Sequence, residues 1–314
     1  MNHLTTADWI AHFLATDPPR SKSLVVTIFG DAIAPHGGTS WLGSLIELLA
    51  PFGVSDRLLR TSVFRLAQEG WLVANRDGRR SSYAILPQAL PRFERANQRI
   101  YAPLTAHWDG SWTLLLAASQ AVDAPTRAAL RKELTWEGYA LVAPGMFGHP
   151  VAGPEALADM LVRHGVQGKL LVVRATELPG VSTRPLRELA AEGWDLSGVV
   201  QGYRGFITQF MPLLAAVRHG GELHGGELAP EQAFVIRTLL IHAYRRVQLH
   251  DPMLPVELLP DPWPGSEAYE LARALYRLTQ AQAERHIVQA LRHEDADAPD
   301  ADAAFYQRFG GLAD

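Results

Sequence analysis

The spacing of hydrophobic residues in the first third of the chain predicts two helices in close succession. Apolar side chains recur every three or four positions over residues 41–52, the repeat of an amphipathic helix, and Gly53 suits the end of that helix. A second helix is expected over residues 55–69, because Ser55 is a favourable N-cap and Gly70 a favourable stop. Its core-facing side is predicted to comprise Leu58, Leu59, Ser62, Val63 and Leu66.

A β-hairpin is predicted directly after this second helix. Residues 71–76 and 79–86 both have the composition of strands, and the Asp77-Gly78 pair between them is a strong signal for a tight turn. Helix, turn, helix and hairpin, in that order, are the elements of a winged helix-turn-helix.

The middle of the chain alternates between strand and helix patterns. Two helices are expected to begin at Pro125 and Pro154, since proline is favoured at the first helical position. The strands around them are predicted over residues 113–118, 139–143 and 169–173. This β-α-β-α-β order indicates a small ferredoxin-like layer, and beyond Arg184 the pattern is mostly helical.

Together these patterns predict an α+β protein with an N-terminal winged helix-turn-helix, a middle ferredoxin-like α/β domain and a helical C-terminal domain. Residues 294–302 are acidic and expected to be disordered. A tandem His-Gly-Gly-Glu-Leu segment, beginning at His219 and again at His224, is interpreted as a loop between helices rather than a metal site. The predicted boundaries are 1–19 for an N-terminal helical arm, 20–88 for the winged helix, 89–107 for a helical connector, 108–178 for the ferredoxin-like domain, 179–292 for the helical domain and 293–314 for an acidic tail.

Composition narrows the classes of function. The chain has no cysteine, which excludes disulfides, thiolate metal sites and thiol nucleophiles. The N-terminus lacks the basic start and apolar run of a signal peptide, and apolar stretches such as residues 114–118 are too short to cross a bilayer. We therefore expect a cytoplasmic protein without a membrane partner.

Charge is distributed unevenly along the chain. Residues 20–100 contain eleven lysines and arginines against six acidic residues, a net charge of +5, whereas the whole chain has a formal net charge of −4. A basic lobe on an acidic body favours contact with a polyanion, although solvated arginine-rich helices are also common.

The basic residues of this lobe fall where a DNA-binding protein needs them. Arg57, Thr61 and Arg65 follow one another at every fourth position, so they share the outer side of the second helix and can enter one major groove, where arginine can bond guanine through two hydrogens. Arginines around the hairpin turn suit phosphates or an adjacent minor groove. The predicted DNA-binding set is Arg57, Arg60, Thr61, Arg65, Gln68, Arg76, Arg79 and Arg80.

With these features the sequence resembles the PaaX family, bacterial repressors of phenylacetic acid catabolism. The match extends from about residue 20 to 292 in the family's order, and it is specific as a set rather than in any one segment. Two departures are the doubled pentapeptide and Pro262, which precedes Trp-Pro-Gly. The segments that carry the resemblance are residues 23–31, 60–66, 69–72, 108–112, 237–246, 251–255 and 258–265.

The resemblance implies a winged helix, a ferredoxin-like middle domain akin to a CRISPR-associated nuclease fold, and a helical C-terminal domain. It also implies an acyl-CoA effector, phenylacetyl-CoA in the best-known members, and no other cofactor. A CoA thioester needs cations for its phosphates and an aromatic face for adenine. The residues predicted to contact this effector are His242, Tyr244, Arg245, Arg246 and Trp263. Alternatively, these arginines pair with Asp251 or Glu257 and only pin the proline-rich loop.

Two further expectations concern assembly and catalysis. One recognition helix reads too few bases to select a genomic site, so we expect a homodimer on a palindromic double-stranded operator. The alternative to a repressor is a metal-dependent or thioester-processing enzyme using the region of His242, His250 and Asp251. However, no nucleophile elbow, P-loop, zinc-protease or dinucleotide motif is present. Asp123 could be a nuclease-type acid, or it could simply begin a helix beside Pro125.

Overall fold

The computed structural model describes residues 5–102, 108–117, 122–151, 153–178, 180–181, 184–224 and 228–312. The chain divides into two compact units. The first comprises Met1–Pro103, Arg204–Arg246 and Glu267–Asp314, and the second comprises Leu104–Tyr203 and Val247–Ser266.

The first unit begins with helices and a small sheet. Its elements are α1 (Thr6–Thr16), α2 (Ser21–Ile28), a π-helical turn Phe29–Ile33, β1 (Thr39–Trp41), α3 (Leu42–Leu49), α4 (Asp56–Gln68), β2 (Leu72–Asp77), β3 (Arg80–Ile85) and α5 (Leu90–Tyr101). The strands form an antiparallel sheet in the order β1-β3-β2. The predicted hairpin is present, but its two-residue loop is Gly78–Arg79, because Asp77 pairs with Arg80. Gly78 has a φ of +58°, which favours glycine at the first loop position.

The core of this part is built from the apolar sides of three helices. Helix α4 packs against α2, α3 and β2. Leu59, Val63 and Leu66 are buried as predicted, and Ser62 hydrogen-bonds to Ser21 over 2.9 Å inside the core. Leu58 differs from the prediction, since 48% of its side chain is exposed.

The second unit contains the middle sheet. Its elements are β4 (Ser111–Ala117), α6 (Ala124–Trp136), β5 (Ala140–Ala143), β6 (Met146–His149), α7 (Pro154–Arg163), β7 (Leu170–Thr176) and α8 (Leu186–Gly193). The antiparallel order β5-β6-β4-β7 is that of a ferredoxin-like sheet. Strand β6 was not predicted, because it is four residues long and follows β5 directly around Pro144-Gly145.

Three long helices complete the protein: α9 (Ser197–His224), α10 (Pro230–Gln248) and α11 (Pro264–Glu294). Helix α9 continues through the first copy of the tandem pentapeptide, so the predicted loop is wrong there. Of the second copy, residues 225–227 lie outside the described residues.

The acidic segment after α11 is placed against the first unit, so the prediction of disorder is wrong. The backbone N–H of Asp302 donates to the carbonyl of Pro35 over 3.0 Å. A final turn, Phe305–Gly310, buries Phe305, Arg308 and Phe309. Acidic composition predicted solvation, but three large side chains beyond it supply the burial that orders the segment.

A buried ionic cluster explains why Arg308 is inside the first unit. The carboxylate of Asp31, which is 3% exposed, accepts hydrogen bonds from Arg237 Nε (2.8 Å), Arg308 Nη1 (3.1 Å) and the hydroxyls of Tyr101 (2.6 Å) and Tyr276 (2.9 Å). Every charge in this cluster therefore has an opposite charge or a donor beside it, which is the condition for burying charge at acceptable cost.

Candidate nucleic-acid interface

Helix α4 is fixed at both ends by its own sequence. Ser55 accepts a hydrogen bond from the backbone N–H of Leu58 at 3.4 Å, and Asp56 places a negative charge in the first turn. Gly70 ends the helix in the left-handed conformation, with a φ of +73°. The buried side of α4 therefore fixes which side chains point outward.

The outward side of α4 carries the predicted cations. Arg57, Thr61 and Arg65 are exposed and span about 12 Å of helix. The Thr61 hydroxyl donates to the carbonyl of Arg57 over 2.9 Å, which leaves its oxygen able to accept. Arg60 and Gln68 are also exposed, and none of the three arginines of α4 forms an ion pair within the described ranges.

The hairpin adds three arginines in two different states. Arg76 and Arg79 are exposed and have no carboxylate partner in the part of the chain that the structure describes. Arg80, by contrast, lies 2.7 Å from the carboxylate of Glu294, at the end of α11, and its guanidinium stands 4.2 Å from the ring centre of Trp41. The one hairpin cation with a partner is thus neutralised by the C-terminal helix.

Two features of this surface were missed from the sequence. Glu294 belongs to the segment predicted to be disordered, and no local pattern links it to Arg80, 214 positions away. Phe64 was given no role, although 60% of it is exposed between the arginines. An exposed aromatic ring among cations is suited to apolar contact with a thymine methyl group or a sugar.

The residues predicted to contact an effector differ in their burial and belong to both units. His242 is buried, and burial, reinforced by Arg245 and Arg246, lowers its pKa to about 3. Its Nδ1 lies 3.0 Å from the Thr27 hydroxyl. With that hydroxyl donating to the carbonyl of Ser23, its oxygen can accept a hydrogen bond from Nδ1–H of His242.

Tyr244 is also a core residue, since it is 1% exposed and its ring packs 5.3 Å from that of Phe206. Arg246 is more than half exposed and lies 3.3 Å from Asp17 Oδ2. Trp263 belongs to the second unit, where its ring is 5.7 Å from that of Tyr203.

Arg245 is the exceptional member of the predicted set. Its hydrogen bond to Ser23 Oγ is long, 3.4 Å, and its Nε is buried without a partner. Burial lowers the pKa of this guanidinium, and no carboxylate forms an ion pair with it in the described ranges. Buried charges in proteins are normally paired, so this cation is suited to receive an anion.

The geometry does not favour the enzyme alternative. Asp251 accepts hydrogen bonds from the Tyr203 hydroxyl (2.6 Å) and the backbone N–H of Met253 (2.7 Å), while His242 is bonded to Thr27. Asp123 caps α6 by accepting from the backbone N–H of Thr126 at 2.9 Å. Across the described residues, no group of three or more potential ligands could hold a metal ion.

None of the described helices combines the length and the apolar character needed to cross a bilayer.

Comparison with known proteins gives consistent matches along the chain. Three family models match it: PaaX-like protein over residues 20–88, PaaX protein central Cas2-like domain over residues 105–187, and PaaX-like protein C-terminal domain over residues 194–289. Transcriptional repressor PaaX of Escherichia coli strain K12 is 36% identical over 304 residues, covering 97% of this chain and 94% of that protein. Among solved structures, uncharacterized protein Rv0674 from Mycobacterium tuberculosis aligns with a TM-score of 0.52 and 26% identity, over 85% of this chain and 97% of that one.

Proposed function

The chain belongs to the PaaX family, and from this membership we propose that it is a DNA-binding transcriptional repressor of a phenylacetate catabolic operon. One observation carries the proposal. Five exposed arginines without ion pairs in the described ranges stand on two consecutive elements, α4 and the β2–β3 hairpin. Unpaired cations concentrated on one lobe of an acidic protein are the electrostatic requirement for binding DNA.

In the proposed complex α3 and α4 form a helix-turn-helix, and the hairpin is its wing. Arg57, Thr61 and Arg65 approach base edges in the major groove, with Arg60 and Gln68 beside them. Arg76, Arg79 and Arg80 then hold phosphates, which positions the protein without reading sequence.

Operator binding by single variants tests this assignment. Arg65→Ala is expected to cost about 1–3 kcal/mol and to relax the preference for operator over unrelated DNA, because it removes a base contact. Arg79→Ala should weaken binding to all sequences alike. Arg163→Ala, which removes an exposed arginine of α7, is the control. If the triple variant of Arg57, Arg65 and Arg79 retained operator affinity, DNA would have to bind elsewhere.

We propose further that an acyl-CoA, phenylacetyl-CoA first, releases the repressor from its operator. By linkage, an effector that prefers the DNA-free form weakens DNA binding by the same factor. To lower operator occupancy from nearly full to nearly none, the effector has to bind the DNA-free form roughly 10⁴-fold more tightly than the DNA-bound form. The choice of an acyl-CoA comes from the family to which the chain belongs, whose best-known members are expected to respond to phenylacetyl-CoA.

The effector is tested by an operator gel shift with four compounds: phenylacetyl-CoA, free CoA, phenylacetate and a straight-chain acyl-CoA. Release by phenylacetyl-CoA alone is the expected result, since the small acid offers few contacts. Indifference to every thioester would remove the acyl-CoA from the proposal and leave the DNA-binding function in place.

The proposed assembly is a two-fold homodimer that reads two half-sites about one helical turn apart. Sedimentation velocity of the free protein and of its operator complex measures this. A monomer in both samples would contradict it.

A further inference from the structure

A cavity of ≈560 Å³ lies beside α6 in the second unit. Its volume falls within the range of small-molecule sites, roughly 300–1,000 Å³. Residues from α6, β5 and β6 line one part of it, among them Arg131, Lys132, Trp136, Tyr139, Leu141 and Phe147. None of these was predicted from the sequence to contact a ligand.

The hydroxyl group of Tyr139 is unsatisfied in this structure. Tyr139 is 4% exposed, and its hydroxyl has no hydrogen-bond partner among the described residues. Burial, together with the charge of Glu137, raises the pKa of this phenol, so it remains a neutral group able to donate. Buried polar groups nearly always have a partner, and one without a partner calls for an explanation.

The charges around the cavity favour an anion. Arg131 and Lys132 are exposed and form no ion pair within the part of the chain that the structure covers. The two carboxylates of the lining are already hydrogen-bonded: Asp195 by the Ser197 hydroxyl (2.6 Å), and Asp251 by Tyr203 and by the backbone of Met253. The two carboxylates keep their negative charge, because these donors are neutral, but their oxygens are already engaged. Arg131 and Lys132 are therefore the charged groups of the lining that are left to bind an anion.

The apolar part of the lining is aromatic and accessible. Trp136 is 55% exposed, Leu141 is 43% exposed, and Phe147 is partly buried beside them. A half-exposed tryptophan offers a flat face on which an aromatic ring can stack with favourable energy.

From these three observations we propose that the cavity of the second unit binds the acyl-CoA effector, an inference that rests on the function proposed above. The acyl group and thioester lie among Trp136, Leu141 and Phe147. The thioester carbonyl accepts a hydrogen bond from the Tyr139 hydroxyl. Arg131 and Lys132 bind the phosphates of the nucleotide.

Binding of phenylacetyl-CoA to the full-length protein, measured by calorimetry, tests the site. Tyr139→Phe removes one oxygen, so affinity should fall about three- to tenfold. The same variant, without ligand, should melt at the wild-type temperature or higher, because it removes an unsatisfied group. A purely structural hydroxyl would give the opposite pair of results.

A second variant tests the charges independently. The double substitution Arg131→Gln and Lys132→Gln should weaken binding of phenylacetyl-CoA at least tenfold, while binding of operator DNA without effector stays unchanged. Arg163→Gln is the matched control, since this arginine lies in the same unit on α7 and does not line the cavity.

Three outcomes separate this inference from the proposed function. Weaker binding in both cavity variants, by the factors given above, with Arg163→Gln unchanged, supports the site. If phenylacetyl-CoA binds and releases the wild type, and both cavity variants respond as the wild type does, the cavity is overturned and the repressor function stands. If the wild type binds no thioester while it still binds the operator, the effector and the cavity both fail.

Discussion

At the scale of single residues, the buried carboxylate of Asp31 is held by several partners. Two arginines and two tyrosines donate to it, and Arg237 also pairs with Glu284. Burial would raise the pKa of Glu284, but Arg237 and His36 lower it to about 2. The sequence showed none of this, because the residues are far apart in the chain and each looks like an ordinary member of its helix.

Asp31→Asn is predicted to destabilise the protein by about 3–5 kcal/mol. The substitution leaves the buried Arg308 beside a neutral amide and Arg237 with Glu284 alone, and a buried charge without its partner is costly. Urea unfolding measures the change. Asp300→Asn, which alters an exposed pair with Arg292, should change stability little. Equal effects of the two substitutions would mean that the cluster contributes no more than a surface ion pair.

The buried His242 predicts that the stability of the protein depends on pH. Its pKa is lowered from 6.5 to about 3 in the folded protein, so below pH 6.5 the unfolded chain binds a proton that the folded chain does not. Stability is therefore complete above pH 6.5 and falls as the pH decreases. Between pH 7 and 5 the loss should be about 1–2 kcal/mol.

His242→Gln should remove most of this loss, as measured by urea unfolding at the two pH values. A smaller slope is expected to remain, because burial lowers the pKa of His286 in the same direction. An unchanged slope in His242→Gln would assign the pH dependence to other groups.

At the scale of elements, the sequence predicted the features that depend on residues close together in the chain. The cap at Ser55 and the stop at Gly70 were placed correctly, and the hairpin was found with its turn one residue later than predicted, since each depends on residues a few positions apart. The prediction of disorder after α11 was wrong for the opposite reason. The order of this segment depends on Phe305 and Arg308 reaching a core made elsewhere in the chain.

Glu294, at the end of α11, should lower the affinity of the hairpin for DNA. The carboxylate of Glu294 forms an ion pair with Arg80, so a DNA phosphate has to displace that carboxylate before it can bind the arginine. Glu294→Gln is therefore expected to strengthen operator binding about two- to fivefold, measured by fluorescence anisotropy. Glu270→Gln, at an exposed acid elsewhere on α11, is the control.

Gly43→Ala tests the same contact from the other side. A methyl group at Gly43 meets the carboxylate of Glu294, a flexible group that can move away. This variant should also bind operator more tightly. Weaker binding in either variant would mean that Glu294 helps to position Arg80 rather than compete for it.

At the scale of the whole molecule, the proposed roles fall in different compact units. The first holds the arginines of α4 and the hairpin, and the second holds the cavity beside α6. Charge asymmetry and element order in the sequence predicted the basic lobe. The cavity could not be predicted, because in the sequence Tyr139 looks like a core residue and Trp136 like a surface residue. Only the folded structure shows that residues of α6, β5 and β6 line one cavity.

In the proposed DNA complex, the pairing of Arg80 with Glu294 should also alter the number of small ions that are exchanged with solution. DNA is surrounded by condensed cations, and each phosphate neutralised by a protein cation changes the slope of log affinity against log salt by about 0.9. Arg80 is paired with the carboxylate of Glu294 before DNA binds. When Arg80 moves to a phosphate, that carboxylate attracts a cation from solution. Arg79→Ala should therefore flatten the slope of log affinity against log salt by about 0.9. Arg80→Ala should flatten it by much less. In the background of Glu294→Gln, however, Arg80→Ala should have the same effect as Arg79→Ala.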